Sequence, residues 1–286
     1  MIDILLEMFS YPFIQRAILV GFMVSLCAAL LGVSLVLKKY SMIGDGLSHV
    51  GFGALSVAFS LNTLPFFADY FKIDPLIFCI VTVLIVAFLL LRMGDNRKMA
   101  NDAAIALLSA TAFTIGVIFI SMTTGINTDV CNTLFGTILA MSKNDVYISV
   151  VLSLAVLVIF ILFYHQIFAV TFDEDFARAT GIKVDRYNAL IALLTAITIV
   201  LGMRIMGSLL ISSLIIFPAL TSMRLFKTFR SVVLSAAIVA VVCFFIGIIV
   251  SYVYRTPAGA SIVAANIILF VIFSLIDSIK RKVPTK

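Results

Sequence analysis

The stretch SMIGDGLSHVGFGALSVAF, residues 41–59, carries two ionisable side chains, Asp45 and His49, at the head of an otherwise uncharged apolar run. Hydrophobic residues fill 63% of the 286 positions and charged residues 12%, and the mean hydropathy is +1.23. A soluble domain of this length cannot hide that much apolar surface, so the bilayer is the solvent this composition suits. Backbone polar groups must be paired inside lipid, and the strict alternation of a barrel strand is absent, so the apolar runs are predicted to be helices. The predicted fold class is all-α, a polytopic membrane helix bundle.

Hydropathy outward from residues 41–59 gives nine candidate spans, with eight an alternative count: 13–37, 43–62, 75–92, 102–122, 145–169, 186–203, 206–223, 231–253 and 259–277. The shorter segment 129–142 reads as a re-entrant or interfacial helix, and GMRIMG, residues 202–207, as a tight turn or a break in one bent element. The spans leave no room for a soluble domain, so residues 1–286 are expected to form a single transmembrane domain. MIDILLEMF at the N-terminus has no basic segment, which argues against a cleaved signal peptide.

One set of connections holds Lys38, Lys39, Arg92, Arg97, Lys98, Arg178, Lys183, Arg186, Arg224, Lys227, Arg230, Lys280, Arg281 and Lys282. The alternate set holds only Lys72, Lys143, Arg204 and Arg255, diluted by aspartates. The positive-inside bias puts the first set in the cytoplasm, the N-terminus outside and the C-terminus inside. The net charge of +6 is therefore topological and does not point to nucleic acid. Cys27, Cys79, Cys131 and Cys243 are widely spaced and form no CxxC, so neither a disulfide framework nor a thiolate site is expected.

Asp45 and His49 are spaced i, i+4 and stack on one helix face. An ionisable group in a span costs about 2.5–3.5 kcal/mol and usually faces a bundle interior or a water path. A carboxylate beside an imidazole is half of a Zn²⁺ or Mn²⁺ site, and a second copy of the helix would complete four ligands. A structural pair that satisfies itself near the cytoplasmic end of the span is the other reading of the same spacing. Gly44, Gly46, Ser48, Gly51, Gly53 and Ala54 let another helix approach closely. His165, in FYHQIF, has no carboxylate one turn away and reads as an interfacial residue.

The second polar feature is TFDEDFARATGIKVDRYN, residues 171–188, in a cytoplasmic connection. Asp173, Glu174 and Asp175 suit an N-cap and first helical turn, Phe176, Ala177 and Ala179 continue it, and Gly181 suits the C′ position. A short extramembrane helix near 172–182 is predicted, either a solvated loop helix or a docking knob for a cytoplasmic partner.

Asp175, Ala177 and Gly181 resemble the docking loop of ABC-importer permeases, with Phe176 standing where that family usually has Ala. KKYSMIGDGLSHVGFGALSVAF resembles the second-span signature of the metal-ion permease family that imports zinc, manganese or iron. NDAAIALLSATAFTIGVIFIS and MGSLLISSLIIFPALTSMRL, with Pro218, resemble later blocks of that family in the same order. The resemblance implies a type II ABC importer permease, with a fold like that of the cobalamin importers, working as a homodimer. It further implies cytoplasmic ATPase subunits and an extracytoplasmic metal-binding protein as partners, in a bacterial-type plasma membrane. ATPase docking would fall on Asp173, Glu174, Asp175, Phe176, Ala177, Arg178 and Gly181, and metal passage on Asp45 and His49. No GxxxxGK[ST] occurs, so ATP hydrolysis is expected from a separate subunit, with no cofactor bound permanently. The proline-free stretch after His49 looks more like the zinc importers than the manganese ones. The rivals are an ion-coupled secondary transporter using Asp45 and His49 as a proton or metal relay, and a membrane protein with no transport role.

Overall fold

Long apolar runs with no unpaired backbone groups become helices, and the computed structural model contains eleven of them among the residues it describes, 10–40, 42–63, 74–94, 101–122 and 143–282. They are α1 (Pro12–Leu37), α2 (Met42–Thr63), α3 (Pro75–Gly94), α4 (Asn101–Ser121), α5 (Lys143–Leu162), α6 (Tyr164–Phe172), α7 (Glu174–Ala179), α8 (Val184–Met206), α9 (Ser208–Leu225), α10 (Phe229–Tyr254) and α11 (Ala258–Lys282). Seven are long and apolar enough to cross a membrane, and α3 and α9 contain the shorter apolar segments Pro75–Leu90 and Ile211–Leu225. The segment 129–142, Cys131 and the N-terminal MIDILLEMF lie outside the described residues.

One expected span is corrected. The apolar run 145–169 is not a single helix, because the chain breaks at Phe163 (φ −100, ψ 18) between α5 and α6. Hydropathy averaged over the run does not register the break, although Tyr164, His165 and Gln166 follow it directly.

Burial separates centre from rim. In α2, 72% of the spanning window is buried, against 22% in α4, α5 and α11. The rim helices turn Ile, Leu, Val and Phe outward, as in the stripe Ile77, Val81, Ile85 and Phe88 of α3. Apolar side chains are stable there only against lipid.

Small residues bring the central helices together. A Cβ added to Gly53 of α2 would lie 2.3 Å from the Ala112 carbonyl oxygen of α4, and one added to Gly46 would lie 2.5 Å from Ile105 of α4. Gly51 faces Met203 of α8, and Gly44 faces Ile215 of α9. The glycines around the acid–histidine pair are therefore taken up by helices of the same chain. Gly53→Val forces α2 and α4 apart. Overpacking of this kind costs about 1–3 kcal/mol, and a drop of roughly 2–10 °C in the thermal midpoint of the purified protein is expected.

The connection near residue 206 is a true reversal. Lys38 at the end of α1 meets Asn188 at the start of α8. Gly202 near the other end of α8 lies against Val24, so α8 runs antiparallel to α1. Ile211 packs on Gly202 and Ile215 on Gly32, so α9 runs back alongside α1. The turn is made by Gly207 alone, at φ 86 and ψ 157. That backbone region is essentially restricted to glycine, and Gly207→Ala is expected to cost about 1–3 kcal/mol, read as a lower thermal midpoint.

Candidate functional site

Two arrangements of polar side chains stand out in this apolar frame. The first is on α2, whose early turns are otherwise buried. Met42, Asp45 and His49 form one accessible stripe along it. The Asp45 side chain is 48% exposed and that of His49 21%, with Asp45 Oδ2 and His49 Nε2 3.6 Å apart. Asp45 sits in the first turn of α2, where unpaired backbone N–H groups favour a negative charge. The Phe113 ring of α4 packs edge-on against the imidazole at 5.2 Å between centroids. His49 Nδ1 is buried and finds no hydrogen-bond partner among the described residues.

The spacing of this pair fits joint ligation. Two ligands of a tetrahedral zinc at ~2.0–2.1 Å lie about 3.3 Å from each other. A small side-chain adjustment from 3.6 Å lets one cation bridge both atoms. Among the described residues no three His, Cys, Asp or Glu side chains come together, so one protomer offers two ligands here. Cys27, Cys79 and Cys243 are buried free thiols. His165 is exposed on α6 beside Tyr164.

The second arrangement is α7 and its surroundings. The Asp173 side chain accepts a hydrogen bond from the Phe176 N–H at 2.9 Å, capping the helix. At the other end Gly181 takes φ 86. Its N–H donates to the Arg178 carbonyl at 3.1 Å and the Ile182 N–H donates to the Ala177 carbonyl at 3.0 Å. This paired pattern is a Schellman stop, and the Ala177–Ile182 apolar contact that accompanies it is present in the small core with Val170 and Val184. Ala177 is buried, whereas Phe176 is 64% exposed and Phe172 57% exposed. The helix thus projects an aromatic knob with Asp175 and Arg178 beside it.

Sequence reasoning missed what anchors that knob. Lys38, the C-cap of α1, has a side chain only 6% exposed and pairs with Glu174 of α7 at 2.8 Å. The same ammonium donates to Asn188 Oδ1 of α8, and Asn188 Nδ2 donates to Glu174 Oε1 at 3.3 Å. Burial pushes the Lys38 ammonium below its usual pKa, more than Glu174 returns. Burial alone would raise Glu174. Hydrogen bonds from Lys38 and Asn188, with the charges of Lys38 and Arg178, outweigh it and hold the carboxyl below its ordinary value. The pair is uneven because the lysine is deeply buried and the glutamate is 40% exposed. A lysine closing a membrane helix looks interfacial in sequence, and nothing local marks it for a partner more than a hundred residues away.

The α1–α2 corner links the two arrangements. Lys39 takes the left-handed conformation at φ 62, and its N–H donates to the Val36 carbonyl at 3.1 Å, while that of Tyr40 donates to the Leu35 carbonyl at 2.9 Å. This second Schellman turn leads directly into α2, so Lys38 lies one tight corner before Asp45.

Known proteins share this architecture. The chain is 32% identical over 257 residues to the high-affinity zinc uptake system membrane protein of Haemophilus influenzae, covering 90% of this chain and 94% of the relative. It is 29% identical over 264 residues to the manganese transport system membrane protein of Halalkalibacterium halodurans, covering 92% and 87%. The solved structure of PsaBC from Streptococcus pneumoniae in complex with Fab superposes with a TM-score of 0.83 at 27% identity, over 96% of this chain and 95% of that one. The family model described as the ABC 3 transport family matches residues 10–277. With its multi-pass helical frame and this match over almost its whole length, the chain belongs to the ABC 3 transport family.

Proposed function

We propose that this chain is the membrane permease of an ATP-driven importer of a divalent transition metal, and that Asp45 and His49 are its half of a shared cargo site. The observation that carries the site is the pair itself: a carboxylate and an imidazole at ligand spacing, accessible on the most buried helix of the fold. Two copies meeting at this stripe bring two carboxylates and two imidazoles to one cation. Four such ligands suit tetrahedral zinc, which is favoured, and with added waters they suit manganese. Mixed oxygen and nitrogen ligands bind firmly enough to strip water and release more readily than thiolates.

The chemical drive comes from outside the chain. A cytoplasmic ATPase docks on the aromatic knob formed by Phe172, Phe176 and the Asp173–Gly181 helix. The basic connections place that end in the cytoplasm, with the C-terminus, and the N-terminus outside. A metal-binding protein delivers the ion to the opposite face. ATPase movement then passes from α7 through Glu174 to Lys38, and around the corner to Asp45. An ion-coupled secondary transporter on the same pair would need no ATPase, and membership of an ABC family sets it aside.

The test is uptake by the permease reconstituted with its ATPase and binding protein, zinc against manganese. Zinc-dependent uptake and ATP turnover are expected, and transport of manganese alone overturns the choice of metal. Deleting residues 173–180 is expected to release the ATPase on gel filtration. Retention of the ATPase by that variant overturns the docking assignment.

A further inference from the structure

An open groove of about 580 Å³ lies between α6 and the start of α8, lined by Phe163, Gln166, Lys183, Arg186, Tyr187 and Leu190 among others. Its position is fixed by two candidate spans. Phe163 follows the last residue of the span ending at Leu162, and Lys183 precedes the span beginning at Val184. The groove therefore opens at the plane where two helices leave the hydrocarbon.

Its two cations have no carboxylate partner among the described residues. Lys183 is the N-cap of α8 and Arg186 lies in its first turn, where the helix end is already positive and a further cation is unfavourable without an anion. Three of the four acids of this connection are occupied, and Asp175 lies exposed in the first turn of α7. Asp185 pairs with Arg178 at 3.0 Å, Glu174 pairs with Lys38, and Asp173 caps α7. Neither Lys183 nor Arg186 has a carboxylate partner among the described residues. On the α6 side, Gln166 Oε1 is buried without a donor. The remaining wall is apolar: Phe163 packs edge-on to Tyr187 at 5.9 Å between centroids, and Leu190 and Ile182 continue it.

We infer that this groove binds the headgroup of an anionic phospholipid of the same leaflet, with the phosphate held by Lys183 and Arg186. A hydroxyl of a glycerol headgroup donates to Gln166 Oε1, and the acyl chains run down past Phe163 and Leu190. This juxtaposition of two cations, a buried acceptor and an apolar exit suits an amphiphile better than a free anion, which would leave the apolar wall and the Gln166 oxygen unused. The inference needs only that the chain spans a membrane. It is independent of the ion path, and the groove borders the α7 docking helix, whose Gly181 also lines it.

The test uses the full permease–ATPase complex in nanodiscs of phosphatidylcholine, with and without phosphatidylglycerol. Each juxtamembrane cation contributes about fivefold to anionic lipid binding, so Lys183→Gln with Arg186→Gln is expected to weaken phosphatidylglycerol binding by roughly 30-fold. Native mass spectrometry reads this as loss of retained phosphatidylglycerol, with retained phosphatidylcholine unchanged. On the wild-type complex, spin-labelled phosphatidylglycerol is expected to show an immobilised fraction that spin-labelled phosphatidylcholine lacks, a readout that does not depend on the variant folding. Equal retention by variant and wild type overturns the inference, as does equal immobilisation of the two lipids. Competition of inorganic phosphate for the site with no dependence on lipid composition assigns it to a free anion instead. Loss of the ATPase rather than of lipid from the double variant assigns the groove to an acidic protein surface, which also overturns it.

Discussion

An importer carrying Asp45→Asn and His49→Gln in both permease copies is expected to lose cargo uptake by about 100-fold or more while its ATPase stays bound. Even a residue that only orients a metal ligand is worth roughly 10–100-fold, and here two ligands per copy are removed. The change is nearly isosteric, so packing of α2 against α4 through Gly53 and Ala112 is untouched. The single variants discriminate between roles. If the pair is structural, losing one partner destabilises the helix start and lowers the thermal midpoint, with uptake following protein yield. If it holds cargo, the midpoint is little changed and uptake per folded complex collapses. Metal-stimulated ATP turnover that persists unchanged in the double variant removes Asp45 and His49 from the cargo path.

The second large effect falls on the Lys38–Glu174–Asn188 cluster, and its two charged members are expected to differ. Glu174→Ala leaves a buried ammonium with no counter-charge, the costly way to break a buried pair, and is expected to lower stability by a few kcal/mol. Lys38→Met removes the buried charge and leaves a carboxylate that is 40% exposed and can reach water, so the stability loss is smaller. Both variants cut the link from α7 to the α1–α2 corner. ATP hydrolysis is expected to continue while uptake per ATP falls about tenfold, a loss of about 1.4 kcal/mol of coupling. Uptake per ATP that matches wild type in Lys38→Met shows that the cluster carries no coupling. Arg178→Ala is the comparison for stability alone, since its pair with Asp185 is exposed on both sides and such pairs contribute about 0–1 kcal/mol.

The pH dependence of the cluster follows from the same burial. The Glu174 carboxyl lies below its ordinary value when folded, so its stabilisation is complete above the unfolded pKa. That stabilisation is lost as pH falls through the folded pKa, below the ordinary glutamate value. The Lys38 pKa is also lowered. The unfolded chain then holds that proton more tightly, and stability rises as pH climbs toward the ordinary lysine value. Attachment of α7 is accordingly expected to hold above the ordinary glutamate pKa and to fail in acid, read by protease cleavage within residues 173–183.

What could be read from the residues alone was local. Spans follow from transfer of apolar side chains into lipid, which depends on composition over about 20 residues. The start and stop of α7 follow from Asp173 and Gly181, because caps act within one turn. The spacing of Asp45 and His49 is a property of a single helix. Tertiary structure decided the rest. A membrane helix is apolar on every side, so its sequence does not say which face meets protein and which meets lipid. Only the packed bundle assigns Gly46 and Gly53 to α4 and Gly51 to α8. The break at Phe163 lies within a run that hydropathy averages into one span, and of the two readings of GMRIMG only the backbone at Gly207 selects the reversal. The contact of Lys38 with Glu174 and Asn188 joins the end of α1 to α7 and α8, more than a hundred residues later along the chain. It exists because the bundle brings their ends into one partly dehydrated corner, where a lone buried charge must find a partner.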